Sequence, residues 1–309
     1  MKHDFIMLDY AALAAVAAVV REGSFDRAAA ALGITPSAIS QRVRGLEERM
    51  GTILIERGQP CRATATGHAL CDHFDRVRLM EQDLAPGLRG IAQADGALPR
   101  VAIAVNSDSL ATWFHAAVAD SGITADIVLE LALDDEAHTA DRLRRGEVLA
   151  AVSADPAPVP GCRTIALGML GYAACASPAF IARHFPTGVD SVALAHAPYL
   201  RFDRHDMLQA RWAQAAHGAD LAAIAHRVPS THAFLDLALA GLGWGLQPLP
   251  LAEACLRDGR LVELPPARRI DVTLYWKVAR LQAGALDRLT RSVRAAAARS
   301  LRPTPADDA

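Results

Sequence analysis

Apolar residues recur at helical spacing through the first ninety residues and then give way to short runs that alternate with helical stretches. Pattern alone therefore divides the chain. Three helices are expected in the first sixty residues. Asp9 can cap the first, whose apolar side is Leu13, Val16 and Val20, and Gly23 closes it in a left-handed position. Ser24 caps a short second helix with Phe25, Ala28, Ala29 and Leu32 facing inward, and Gly33 ends it. Thr35 caps the third, and Pro36 takes its first position, where a missing N–H costs nothing. Ile39, Val43, Leu46 and Met50 then share one face until Gly51 stops the helix. Two short helices joined by a Gly-containing turn predict a helix-turn-helix. Residues 53–55 and 62–66 predict a small hairpin beside it, a wing, completing a winged helix-turn-helix over 1–66.

A single long helix is expected over 67–92, with Leu70, Phe74, Val77, Leu84 and Leu88 near heptad spacing. Such a stripe suits pairing with a second copy of the chain. Packing on its own domain is the competing reading. After a linker at 93–99, strands expected at 101–105, 126–131 and 148–153 alternate with helices at 109–119 and 136–145, which implies parallel βαβ units and an α/β domain over 93–309. Further strands are expected near 164–167, 171–176, 199–202, 224–228, 243–247 and 271–278, with a closing helix at 285–300.

Composition narrows the function without naming it. Of 309 residues, 52% are apolar and 21% charged, the balance of an ordinary globular protein, so a net charge of −2 hides any local basic face. No run approaches the length of a membrane span, and MKHDFIMLDY carries acids where a signal peptide would be apolar, so a cytoplasmic chain is expected. Cys61, Cys71, Cys162, Cys175 and Cys255 show no C-x-x-C spacing, which favours idle thiols. His68 and His73 lie on different faces of a helix. No metal and no cofactor are expected.

On the third helix Ser37, Ser40, Gln41 and Arg44 form the stripe opposite the buried one. Short hydroxyls near a helix start suit phosphate, whereas Gln and Arg can make bidentate bonds to base edges in the major groove. Arg57 and Arg62 flank the wing and can reach a neighbouring phosphate row. With Ser24, Thr35 and Pro36 these make the candidate contacts to double-stranded operator DNA. A solvated helix face is the bland alternative, and the capped turn with wing arginines outweighs it.

The run SFDRAAAALGITPSAISQRVRGLEERMGTILIER (24–57) resembles the N-terminal signature of LysR-type transcription regulators. In that family the third helix enters the major groove, the long helix pairs two subunits, and dimers assemble further into dimers of dimers. Pro36 stands where many members carry a side chain able to touch a base. NSDSLATWF (106–114), DRLRRGEVLAAVS (141–153), FPTGV (185–189), RFDRHDM (201–207) and LYWKV (274–278) resemble the ArgP/LysG branch, which responds to lysine or arginine and controls basic amino-acid export. The resemblance implies a two-lobed, Rossmann-like effector domain similar to periplasmic binding proteins. Lobe 1 would cover about 99–162 and 268–300, and lobe 2 about 163–267, with crossovers near 162–166 and 265–270. It implies L-lysine or L-arginine as effector, a second copy of the chain as partner, and compatibility with a contact to RNA polymerase.

In open α/β sheets, ligands bind beyond the carboxyl ends of strands, where helix starts present free N–H groups. Three polar strand ends meet that description: Asn106, Ser107, Asp108 and Ser109; Phe202, Asp203 and Asp206; and Ser230, Thr231 and His232. Asp134 and Asp135 follow another strand. The helix starts at 107–109 and 230–232 are expected to hold an α-carboxylate. Asp108 and Asp203, one from each lobe, are the preferred partners for a cationic side chain. Some of these residues are ordinary caps. An enzyme, an exported binding protein and an origin-binding or architectural DNA-binding protein are the rival readings. The sequence shows no catalytic triad, nucleophile elbow or export signal in favour of the first two.

Overall fold

The computed structural model describes residues 8–83, 98–125, 127–133 and 136–304. The N-terminal unit is built as the pattern requires. Helix α1 (Tyr10–Glu22) begins at Asp9, whose carboxylate accepts from the Ala11 and Ala12 amides, and ends at left-handed Gly23. Helix α2 (Phe25–Ala31) begins after Ser24, which sits at the cap position without a side-chain hydrogen bond. Helix α3 (Pro36–Met50) begins at Thr35, whose hydroxyl accepts from the Ala38 amide at 3.2 Å, and stops at left-handed Gly51. Ile39, Val43 and Leu46 are buried with Leu13, Val16 and Val19 of α1, and Met50 is partly buried beside them. Each large aliphatic side chain removed from water here stabilises the unit by about 1.5–3 kcal/mol. The wing is minimal: β1 (Ile55–Glu56) pairs antiparallel with β2 (Arg62–Ala63).

Helix α4 (Ala65–Gln82) starts at Thr64, whose hydroxyl accepts from the Gly67 amide. Gly67 is required by close approach, because a Cβ there would run into the Leu54 carbonyl of the wing. The stripe expected to pair two chains divides differently. Leu70 and Phe74 are buried in the core of their own N-terminal unit, because α1 presents an apolar face to them; Val77 is half-buried. Leu79, five residues beyond Phe74 and so on a different face, is buried instead in the core of the second domain. The remainder of the expected helix to 92, with Leu84 and Leu88, and most of the linker lie outside the described residues. Around this seam Asp75 is buried 3.8 Å from Arg21, and burial pushes the Asp72 carboxyl up to about 6.

The second domain is organised by one seven-stranded sheet. Strands β3 (Arg100–Val105), β4 (Val128–Leu133) and β5 (Ala150–Ser153) are parallel, in the order β4-β3-β5. The chain passes from β3 to β4 through α5 (Ser107–Ser109), a π turn (Leu110–Phe114) and α6 (His115–Asp120), and from β4 to β5 through α7 (Glu136–Arg145). Strand β6 (Cys162–Ala176) then crosses the domain as one element where two runs were expected. The interruption in its pattern is a bend inside a strand. Gly168 has φ +134, and the pairing with β11 (Ile270–Ala279) changes register opposite it. A Cβ at Gly168 would also crowd the Arg302 carbonyl.

After β6 come α8 (Pro178–His184), α9 (Ser191–His196), β7 (Tyr199–Arg201), α10 (Leu208–His217), β8 (Ala225–Arg227), α11 (Thr231–Leu239), β9 (Gly245–Pro248), α12 (Leu249–Arg257) and β10 (Val262–Glu263). β9 and β10 both pair with the distal half of β6, while β7 and β8 form a parallel pair whose Leu200 amide bonds to the carbonyl of Trp244, just before β9. The long strands β6 and β11 are thus the two crossovers between the lobes. Helix α13 (Gly284–Ser300) returns to lobe 1 and buries Leu286, Leu289 and Val293. The lobes share one apolar core: Trp276 lies 6.2 Å from Phe114 on one side, and Trp212 lies 5.3 Å from Trp244 on the other.

Candidate functional site

On the N-terminal unit, α3 turns Pro36, Ser37, Gln41 and Arg44 to solvent, with Ser40 half-buried between them. Thr35 is committed to the helix cap, with Ser37 Oγ 3.0 Å from its hydroxyl. Arg62 is exposed on the wing opposite Glu56, and Arg57 lies over the Phe25 ring at 5.4 Å. That stacking fixes the direction of the Arg57 side chain. Glu47 was not singled out from sequence, yet its carboxylate accepts from the Leu54 and Ile55 amides at 2.8 and 3.3 Å, which pins the wing to α3.

The second site is a cleft of about 600 Å³ between the lobes. It brings together seven of the expected residues: Asn106, Ser107, Asp108, Phe202, Asp203, Asp206 and Thr231. Ser109, Ser230 and His232 are outside its described lining. Ser109 is buried at the end of α5, its amide capped by Asn106 Oδ1; Ser230 caps α11; His232 is exposed on that helix. Asp134 and Asp135 lie outside the described residues.

Within the cleft the acids differ by what already holds them. Asp108 accepts from the Tyr172 hydroxyl at 2.7 Å and from the Thr231 hydroxyl at 2.6 Å. Thr231 has one proton to give, so Ser107 Oγ, 2.8 Å away, is left to donate to the Thr231 oxygen. Burial pushes the Asp108 carboxyl above the ordinary carboxylate range; the two hydroxyls pull it back and neighbouring Asp206 raises it again. Asp206 accepts from the Phe202 amide at 2.8 Å and the Leu208 amide at 3.0 Å, which directs it inward ahead of α10. Asp203, preferred beside Asp108 on sequence, is exposed and spent on a turn, accepting from the His205 and Asp206 amides. Asp206 is therefore the better second acid.

Sequence reasoning did not single out Tyr172 or Asp155. Asp155 is bonded at 3.0 Å to Lys277, a buried ammonium; the Ala157 amide and then Lys277 hold its carboxyl below the ordinary range. Phe234, Leu246 and Val272 supply apolar wall. The cysteines stand apart from this chemistry: burial pushes the Cys71 and Cys175 thiols up to about 12, away from the reactive thiolate. Among the described residues no cluster could hold a metal ion, and no helix is long and apolar enough to cross a membrane.

Residues 10–68 match the bacterial regulatory helix-turn-helix protein, lysR family, and residues 124–298 match the LysR substrate binding domain. The chain is 44% identical over 271 residues to the transcriptional regulator ArgP of Pseudomonas aeruginosa, covering 88% of this chain and 90% of that one. It is 41% identical over 290 residues to LysG of Mycobacterium tuberculosis, covering 94% of each. Among solved structures it resembles ArgP from Mycobacterium tuberculosis, with a TM-score of 0.76, 40% identity, and coverage of 96% of this chain and 100% of that one. It also resembles full-length LysG from Corynebacterium glutamicum with bound effector arginine, with a TM-score of 0.65, 35% identity and the same coverage. An outward α3 with a wing, joined to a two-lobed domain around an acidic cleft, is one inherited architecture, and the chain belongs to the LysR family of bacterial transcriptional regulators.

Proposed function

We propose that this regulator senses a basic amino acid, L-lysine or L-arginine, in the interlobe cleft, and controls genes such as one for a basic amino-acid exporter. The observation that carries the reading is electrostatic. Asp108 and Asp206 face one cleft, and no Lys or Arg among the described residues pairs with either. Two carboxylates held together favour a ligand that brings positive charge, and in a partly dry cleft that bond is stronger than in water. The arginine bound by LysG of Corynebacterium glutamicum agrees with this chemistry. The ligand is bound without being converted.

Asp108 is also where the lobes meet. It belongs to lobe 1, Thr231 to lobe 2, and Tyr172 to the crossover strand. A cation that draws on Asp108 competes with those two hydroxyls, so occupancy changes how the lobes are tied. The effector can shift the population only by its differential affinity for the two arrangements. At the other end, Gln41 and Arg44 read bases while Arg57 and Arg62 contact phosphate. The chain acts as a dimer, and as a dimer of dimers, through the surface of α4 not used by the N-terminal core, since an operator with two half-sites needs two reading helices. Contact with RNA polymerase at the promoter fits the same role.

Footprinting of the full chain across its genome, with and without lysine and arginine, tests the reading. Discrete promoter sites whose protection pattern changes with either amino acid are expected. Broad coverage of AT-rich DNA that ignores both would favour an origin-binding or architectural protein.

A further inference from the structure

A basic amino acid carries two cationic groups and one carboxylate, and the acids of the cleft account only for the former. The carboxylate was expected at the helix starts, but the structure turns those starts toward Asp108. Thr231 donates to Asp108, Ser107 is left to donate to Thr231, and Asn106 is spent on the Ser109 amide. A ligand carboxylate placed there would face the Asp108 carboxylate, and like charges repel.

The opposite wall is different. Arg211, on α10, is the one Lys or Arg among the described residues lining the cleft. It is exposed at the rim, and no carboxylate among the described residues lies against it. On the same wall Gln209 is buried, and its Oε1, screened from solvent, has no hydrogen-bond partner among the described residues. A guanidinium that no carboxylate among the described residues holds offers a fork for the carboxylate that an amino acid carries and its amine lacks.

Building on the proposed basic amino-acid effector, we infer that Arg211 receives the ligand's α-carboxylate and thereby distinguishes lysine and arginine from their decarboxylated amines. The ligand then lies with its amino-acid end on α10 and its side-chain cation toward Asp108 and Asp206. An amine keeps the acidic contacts and forfeits the guanidinium.

Titration calorimetry of the full-length chain with L-lysine, L-arginine, cadaverine and agmatine tests this. The wild-type chain should bind each amino acid at least about tenfold more tightly than its amine. Arg211→Gln should erase that preference by weakening the amino acids, while the amines stay within about twofold of their wild-type affinity. Arg211→Lys, which keeps the charge but loses the fork, should retain part of the preference. Because Arg211 is exposed, each variant should melt as the wild type does. A preference that survives in Arg211→Gln, or amines and amino acids weakened together, overturns the assignment of Arg211 alone. So does a wild-type chain that binds the amines as tightly as the amino acids. A wild-type chain that binds neither amino acid overturns the proposed effector, and this inference with it.

Discussion

The molecule has two working helix starts, and they are arranged in opposite ways. At α3, Thr35 caps a residue three positions away, and the helix leaves Ser37, Gln41 and Arg44 facing solvent. At α5, Asn106 makes the same local cap, but the first turn carries Asp108 into contacts with Tyr172 and Thr231, 64 and 123 positions away. The proposed reading face is thus fixed by its own neighbourhood and stays open, whereas the proposed sensing face is closed by distant residues from the other lobe and the crossover strand. A regulator needs this asymmetry. Its DNA contacts should keep their geometry while the tie between lobes responds to ligand.

The largest expected effect lies in the supporting core of the N-terminal unit. Phe74→Asp removes an aromatic side chain worth about 3–5 kcal/mol and buries a charge in its place. The N-terminal unit should unfold, abolishing DNA binding, while the effector cleft still titrates with lysine or arginine. Calorimetric melting checks it: a normal melt with loss of dimers only would return Phe74 to a pairing stripe between chains.

A smaller effect separates reading from anchoring. Gln41→Ala or Arg44→Ala should each cost roughly 1–3 kcal/mol on the preferred operator and relax preference at one or two base pairs. Arg57→Ala should weaken all sequences alike and flatten the salt dependence. Binding measured on a panel of operator variants at several salt concentrations distinguishes them. A change of sequence preference in Arg57→Ala alone would invert the assignment, and the Phe25 contact would then be holding a base-reading side chain.

The smallest effect is in the protons of the cleft. Burial raises the Asp108 carboxyl above its ordinary range in the empty site, and a bound cation favours the ionised form and lowers it again. Effector binding should therefore release protons, and affinity should fall as pH drops through the raised value of the empty site. The linked effect on stability has the corresponding sign. A carboxyl whose folded-state value is raised favours the fold while protonated, and that contribution is lost as pH rises from the unfolded value through the folded one. Calorimetry in buffers of different ionisation enthalpy reads proton release directly. Its absence would show that Asp108 is already ionised, or is untouched by the ligand.

The same asymmetry explains what was legible beforehand. Helices α1 to α3 were readable because their caps, left-handed glycines and apolar faces are encoded within a few residues of one another. Ser177 and Pro178 open α8 with the same grammar as Thr35 and Pro36, so that helix carried a usable local signal. Helix α10 did not, since no side chain caps it. Strand β6 was read as two because Gly168 bends it, and a bend and an end look alike in sequence. Seven cleft residues were found from polar strand ends, but Tyr172 and Asp155 reach the cleft only through sheet register and a buried lysine, which no local pattern encodes. The split of α4, with Phe74 given to one core and Leu79 to another, likewise depends on which surfaces meet it.

The basic amino-acid effector proposed for the cleft rests on Asp108 and Asp206, which no Lys or Arg among the described residues pairs with. Titration calorimetry of the full-length chain, wild type beside Asp108→Asn, tests it most directly with L-lysine, L-arginine, L-glutamate and L-phenylalanine as ligands. Lysine or arginine should bind the wild type, and Asp108→Asn should weaken that binding at least about tenfold without unfolding the domain. Tight binding of glutamate or phenylalanine with no response to either basic amino acid, or an Asp108→Asn chain that binds lysine and arginine as the wild type does, would contradict the account.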